Sequence, residues 1–100
     1  MRQVVILDEA GEDLERAKDF YETCEVGAGD YFSDCLIAEL ASLESHAGDH
    51  PERNGFHKMN AKRFPYSIYY DLDEDWVRIV AILDMRQNPP QLRKQLKDRS

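Results

Sequence analysis

Residues 64 to 72 and 76 to 86 alternate apolar and polar side chains on either side of the acidic turn Asp73-Glu74-Asp75. Period two belongs to a strand whose two faces meet different surroundings, which constrains this stretch to an antiparallel hairpin. With Asp73 and Glu74 as the turn, Tyr70 falls opposite Val77, Ile68 opposite Ile79, Tyr66 opposite Ala81 and Phe64 opposite Leu83, so one face is wholly apolar. A slip of one residue would turn these side chains to the other face and forfeit about 1.5 to 3 kcal/mol for each large one. The same register sets Tyr69 against Arg78, Ser67 against Val80, Pro65 against Ile82 and Arg63 against Asp84, with Arg86 further along that second face. Residues 56 to 63, FHKMNAKR, add a less regular strand and complete a three-stranded meander.

Upstream the period changes. RQVVIL at residues 2 to 7 is short and β-branched, which predicts a strand ending at Asp8, a residue able to cap the helix that follows. From Glu9 to Cys24 the apolar positions Ala10, Leu14, Ala17, Tyr21 and Cys24 recur at spacings of three and four, with Glu9, Glu12, Asp13 and Glu15 toward the helix N-terminus. Residues 26 to 30 break this helix. A second runs from about Tyr31 to Ala47 on the stripe Phe32, Leu36, Leu40, Leu43 and Ala47, and Gly48 ends it. Two such helices joined by a short loop make an antiparallel hairpin. After Asn88-Pro89-Pro90 stops the last strand, QLRKQLKDRS predicts a short basic helix with Leu92 and Leu96 on its docking side. Val80 and Ile82, on the second sheet face, need cover that this helix or a partner protein could supply. The fold class is therefore α+β: an N-terminal strand, an antiparallel helix hairpin, an antiparallel three-stranded meander and a short C-terminal helix.

A chain of 100 residues that is 42% hydrophobic is long enough for one core and too short for two, so residues 1 to 100 are read as a single domain. No apolar run approaches the roughly 20 residues of a membrane span, and the N-terminus turns acidic after four apolar residues, too few for a signal peptide. The chain reads as cytoplasmic. Cys24 and Cys35 lie on predicted apolar stripes, where reduced thiols act as small hydrophobes. Neither they nor His46 and His50 have ligand partners at metal spacing, so no metal or cofactor is expected. The net charge of -7 opposes nucleic acid as a partner, but residues 1 to 54 hold 14 acidic against 4 basic side chains, and residues 55 to 100 hold 6 against 9. The second half is net basic.

Four segments, DLERAKDFYE, HPERNG, RFPYSIYY and VRIVAILDMRQNPP, each resemble counterparts in the RelE/ParE family of bacterial toxins from type II toxin-antitoxin systems, also known as plasmid stabilisation proteins. The resemblance covers most of the chain and agrees with the order of elements above. It implies a growth-inhibiting toxin neutralised by a cognate antitoxin in a hetero-oligomer. Family members act either on the ribosome, where they cut mRNA, or on DNA gyrase. A non-toxic member serving as a protein-binding module is the alternative.

In the RNA-cleaving branch the ribose 2'-hydroxyl attacks the phosphodiester, and the protein must move a proton and stabilise phosphate charge. By motif position, the resemblance implies catalytic roles for Arg63 and Arg86. Where family members frequently show a histidine followed, after one residue, by two arginines, this chain has Asp84, Met85, Arg86 and Gln87. Asp84 and Gln87 thus depart from the pattern, and an Asp84 paired with Arg63 would occupy that side chain's donors. Lys58, Lys62, Tyr69, Arg78, Arg93 and Lys94 are the further candidates for nucleic-acid or target binding, Tyr69 by stacking on a base or as a packed partner of Arg78. His57, on the first meander strand, reads either as an acid-base group or as an inert mid-strand histidine, the commoner case.

Overall fold

In the computed structural model, which describes residues 2–99, the two amphipathic segments form α1 (Asp8–Cys24) and α2 (Ala28–His46), preceded by β1 (Gln3–Ile6). A two-residue strand β2 (Glu52–Arg53), absent from the sequence reading, leads into β3 (Phe56–Asn60), β4 (Tyr66–Leu72) and β5 (Trp76–Asp84), and α3 (Pro89–Asp98) ends the chain. This is the expected α+β arrangement. The strands order as β1-β5-β4-β3-β2, with β1 parallel to β5 and every other pair antiparallel.

Several boundaries differ from the sequence reading for local reasons. α2 starts at Ala28 rather than Tyr31, because the Glu22 carboxylate accepts from the Gly27 and Gly29 N–H groups (3.0 Å each) at the α2 N-terminus. Asp8 lies inside the first turn of α1, and Leu7 takes the cap position without a side-chain bond. β3 stops at Asn60, where the Ala61 N–H donates to the Tyr66 carbonyl (2.9 Å) and turns the chain into β4. α3 starts at Pro89, with Asn88 as its cap accepting from the Gln91 N–H at 3.0 Å. Cys24 is exposed in the last turn of α1 and so is not on its buried stripe; Cys35 is half-buried.

The register of the last hairpin is also corrected. Leu72 pairs with Val77, Asp71 with Arg78 and Tyr70 with Ile79. The turn is wider than two residues because the Asp73 carboxylate accepts from both the Asp75 and Trp76 N–H groups at 2.9 Å, and the Asp73 N–H donates to the Trp76 carbonyl at 3.0 Å. A bulge follows. Tyr69 pairs with Ala81, Ile68 with Ile82, Ser67 with Leu83 and Tyr66 with Asp84, which leaves Val80 as the extra residue on β5.

The bulge reverses the parity of β5. Val77, Ile79 and Ile82 join Tyr66, Ile68 and Tyr70 in the main core, packed on Ala10, Leu14, Phe32 and Leu36 of the helix hairpin. Val80, Ala81 and Leu83 turn to the opposite face, where Phe56, Tyr69 and Leu96 complete a second core beneath α3, with Leu92 beside it. The C-terminal helix thus covers Val80 as the sequence suggested, whereas Ile82 faces the other way.

β1 pairs with β5 only as far as Ile79, so the outer edge of β5 beyond it has no strand neighbour. Side chains take that place. The buried Asp13 of α1 accepts from the Ile82 N–H at 3.0 Å, and Arg99, just after α3, donates to the Val80 carbonyl at 3.3 Å while pairing with Asp13.

Candidate functional site

Arg86 follows β5 and folds back on Asp84. Its Nε donates to Asp84 Oδ1 at 2.9 Å, a terminal nitrogen to Oδ2 at 2.8 Å, and its backbone N–H to Oδ1 at 2.8 Å. This fork satisfies both carboxylate oxygens. The Arg86 guanidinium beside Asp84 holds its carboxyl below the usual range, and Asp84 in turn raises Arg86. The pair lines a cavity of about 270 Å³ between α1, β5 and α3, together with Arg16, Phe20, Tyr66 and Gln95.

Arg63 is elsewhere. Its guanidinium donates to the Tyr31 hydroxyl at 2.8 Å on the α2 side, and that bond raises it further. It lines a second cavity of about 360 Å³ with Tyr31, Cys35 and Lys62, and the two cavities share no lining residue. The expected Arg63–Asp84 pair is therefore not formed, since Tyr66 and not Arg63 stands opposite Asp84. Rings link the two regions: Tyr31 contacts Phe64 at 5.9 Å, Phe64 contacts Tyr21 at 5.2 Å, and Tyr21 contacts Tyr66 of the first cavity at 6.3 Å.

The remaining candidates are dispersed. Arg78 bridges Asp71 at 2.6 Å and Asp73 at 2.9 Å, so it is tied into the hairpin turn and not paired with Tyr69. Tyr69 is 3% exposed in the second core, where its ring has no open face for a base. Lys58 lies opposite Tyr69 on β3, half-buried, and Lys62 follows β3 with its backbone N–H donating to Glu39 at 3.1 Å. Arg93 and Lys94 are exposed on α3, away from Leu96, which docks it.

His57 stacks on Tyr70 (centroids 5.2 Å, 19° between planes) and donates from Nδ1 to the His50 carbonyl at 3.0 Å. The Tyr70 hydroxyl accepts from the Gly48 N–H at 3.0 Å and meets His50 Nδ1 at 2.6 Å. These contacts pin residues 48 to 50 to the sheet, and they place His57 outside both arginine cavities.

Neither arginine cavity contains a histidine. Burial pushes the Tyr66 hydroxyl of the first cavity up, so it stays protonated near neutral pH, and Asp84, held down by Arg86, is a weak proton acceptor. The arrangement can bind through hydrogen bonds and ring contacts. Among the described residues there is no group of three or more metal-binding side chains, and no helix is long and apolar enough to cross a membrane.

Sequence reasoning missed Asp13 and Gln95, and it counted Arg99 among the basic tail residues able to bind nucleic acid or an acidic antitoxin, whereas Arg99 is paired with Asp13. Asp13 carried one readable signal: it lies three residues after Ala10 and beside Leu14, within the buried stripe, although it reads equally well as part of the acidic start of α1.

Residues 4–89 match the family model described as ParE toxin of type II toxin-antitoxin system, parDE. A solved structure described as the chromosomal ParDE TA system from P. aeruginosa is similar in fold, with a TM-score of 0.72 at 16% identity, covering 86% of this chain and 98% of that one. No curated protein matches the chain.

Proposed function

We infer from one premise, that this chain belongs to the ParE toxin family of type II toxin-antitoxin systems, that it inhibits growth by binding and occluding a protein target, DNA gyrase, without cleaving RNA. A cognate antitoxin neutralises it in a toxin-antitoxin hetero-oligomer. The observation that carries the reading is the Arg86–Asp84 fork: the cation nearest the family's catalytic position already has a carboxylate on two of its nitrogens. A phosphate would have to compete with Asp84 for them, and neither arginine cavity holds a histidine. Occlusion of a protein surface needs no proton transfer.

The test is supercoiling of relaxed plasmid by purified gyrase with increasing amounts of the protein. Inhibition that is reversed by the product of an adjacent antitoxin-like gene is the expected result, and full supercoiling at excess protein ends the reading.

The second reading is ribosome-dependent mRNA cleavage, with Arg63 and Arg86 as catalytic residues and the basic side chains of Lys58, Arg93 and Lys94 on the nucleic acid. The net basic second half of the chain favours it. Cut transcripts on induction, lost in Arg63→Ala and Arg86→Ala, would establish it. Induction that leaves growth unaffected, with no antitoxin gene nearby, would instead place the chain among non-toxic binding modules.

A further inference from the structure

We propose that β1 pairs with β1 of a second copy of this chain, antiparallel about a two-fold axis at Val5, so that the two sheets join edge to edge. The inference concerns the chain by itself and does not depend on the gyrase reading. β1 is an end strand of the sheet, and the Gln3 and Leu7 N–H groups donate toward β5, to the Asp75 and Ile79 carbonyls at 2.9 and 3.0 Å. Successive residues of a strand direct their backbone groups to opposite sides, so Val4 and Ile6 turn theirs away from β5, where no described strand receives them. Open edges are ordinarily blunted by brevity, charge, proline or cover. Two other edges of this sheet follow that rule: β2 is two residues long, both charged, and β5 beyond Ile79 is closed by Asp13 and Arg99. β1 does not. Residues 3 to 7, QVVIL, hold no charge and no proline, and Ile6 and Leu7 are 37% and 38% exposed.

The residues along this edge select a second copy as its occupant. Self-pairing about Val5 sets Val4 opposite Ile6 of the other copy and Ile6 opposite its Val4, so the residues whose backbone groups are open meet each other and exchange N–H···O bonds. Val5 meets Val5, and β-branched side chains face one another across the join. One step further out, Arg2 of each copy stands opposite Asp8 of the other. Arg2 Nε donates to the Asp73 carbonyl at 2.5 Å, but its terminal nitrogens have no hydrogen-bond partner among the described residues, and neither has the Asp8 carboxylate. Sliding to the next register of the same parity would set Arg2 against Ile6, or Asp8 against Val4, and lose both ion pairs. The charges therefore fix one register. The pairing uses the same edge of both copies, so it closes at a dimer. A strand pair this short buries less than a standard interface, which makes the dimer weak, with a dissociation constant on the order of 100 μM.

The experiment is sedimentation of the full chain over a concentration series, with amide hydrogen exchange measured by NMR at about 50 μM and about 1 mM. The expected result is a monomer-dimer equilibrium in which exchange at Val4 and Ile6 is about threefold slower at the higher concentration, while Asn60, on the far side of the sheet, is unaffected. Asp8→Lys sets like charges opposite each other and should abolish the concentration dependence; adding Arg2→Glu reverses the pair and should restore it. A chain that stays monomeric at 1 mM, or a dimer in which Val4 and Ile6 exchange at the same rate at both concentrations, overturns the proposal without reference to any variant. Association of the Asp8→Lys chain as strong as that of the unaltered chain overturns the register. Protection of these two amides that appears only when the product of an adjacent antitoxin-like gene is added gives the edge to that partner and overturns self-pairing.

Discussion

Asp13 and Arg99 are 86 residues apart in the chain, yet they pair along the open edge of β5, with an Arg99 nitrogen 3.0 Å from Asp13 Oδ1 and a second on Oδ2. The Asp13 side chain is 3% exposed and that of Arg99 10%. Asp13 also accepts from the Ile82 N–H, and Arg99 reaches Glu9 at 3.3 Å, so one pair joins α1, β5 and the end of α3. Asp13→Ala takes both Asp13 oxygens from the largely buried Arg99 guanidinium, which keeps only Glu9 and the Val80 carbonyl, and leaves the Ile82 N–H without an acceptor. The expected loss is about 3 to 5 kcal/mol of unfolding free energy, measured by urea denaturation. A loss of less than about 1 kcal/mol would show that water replaces the carboxylate.

Gly29 sits where α2 crosses α1. A Cβ there would lie 2.7 Å from the Lys18 carbonyl oxygen, which belongs to backbone and cannot swing aside. Gly29→Ala is expected to cost about 1 to 3 kcal/mol by forcing the helices apart. Gly11 is the matching control within α1: its Cβ would meet only a methyl of Ile6 at 3.9 Å, so Gly11→Ala should stabilise by about 0.5 to 1 kcal/mol. Thermal or urea unfolding of both variants separates close approach from helix propensity.

Tyr70 is fully buried, and its hydroxyl links the Gly48 N–H to His50. Tyr70→Phe keeps the ring but strands that N–H. A loss of about 0.5 to 1.5 kcal/mol is expected, since Gly48 is exposed and water can take the bond, with faster hydrogen exchange at Gly48. Unchanged exchange at Gly48 would show that this bond does not hold the loop.

Asp73 organises the hairpin turn. Bonds from the Asp75 N–H first, then from Arg78 and the Trp76 N–H, lower its carboxyl to about 2 from the ordinary 3.8. A depressed carboxylate contributes stability above its unfolded value, and that contribution fades as pH falls through the folded value. Asp73→Ala should therefore be less stable than the unaltered chain at neutral pH, with the difference shrinking between about pH 4 and pH 2. A difference independent of pH would assign the effect to turn conformation alone.

Much of the architecture was legible because it rests on periodicity. The stripes at Leu14 and Ala17 and at Phe32, Leu36, Leu40 and Leu43 bury as read, and Tyr66, Ile68 and Tyr70 face the helix hairpin as their parity required. The candidate site was less legible. Arg63 and Arg86 are both readable as motif positions, but their separation depends on where the connections flanking β4 and β5 turn.

The sequence by itself determined the order of elements, the helix stripes and the inward face of β4, because one residue's displacement along a helix or strand moves its side chain by a fixed angle. It also carried the motifs of the family. Only the tertiary structure decided the pairing of β5, because the Asp73 carboxylate captures two N–H groups and widens the turn, and because the Val80 bulge reverses parity midway. It likewise decided that Asp84 holds Arg86 and leaves Arg63 to Tyr31, and that Asp13 meets Arg99. Such pairs join residues far apart in the chain or across a turn, where no repeat in the sequence reports distance.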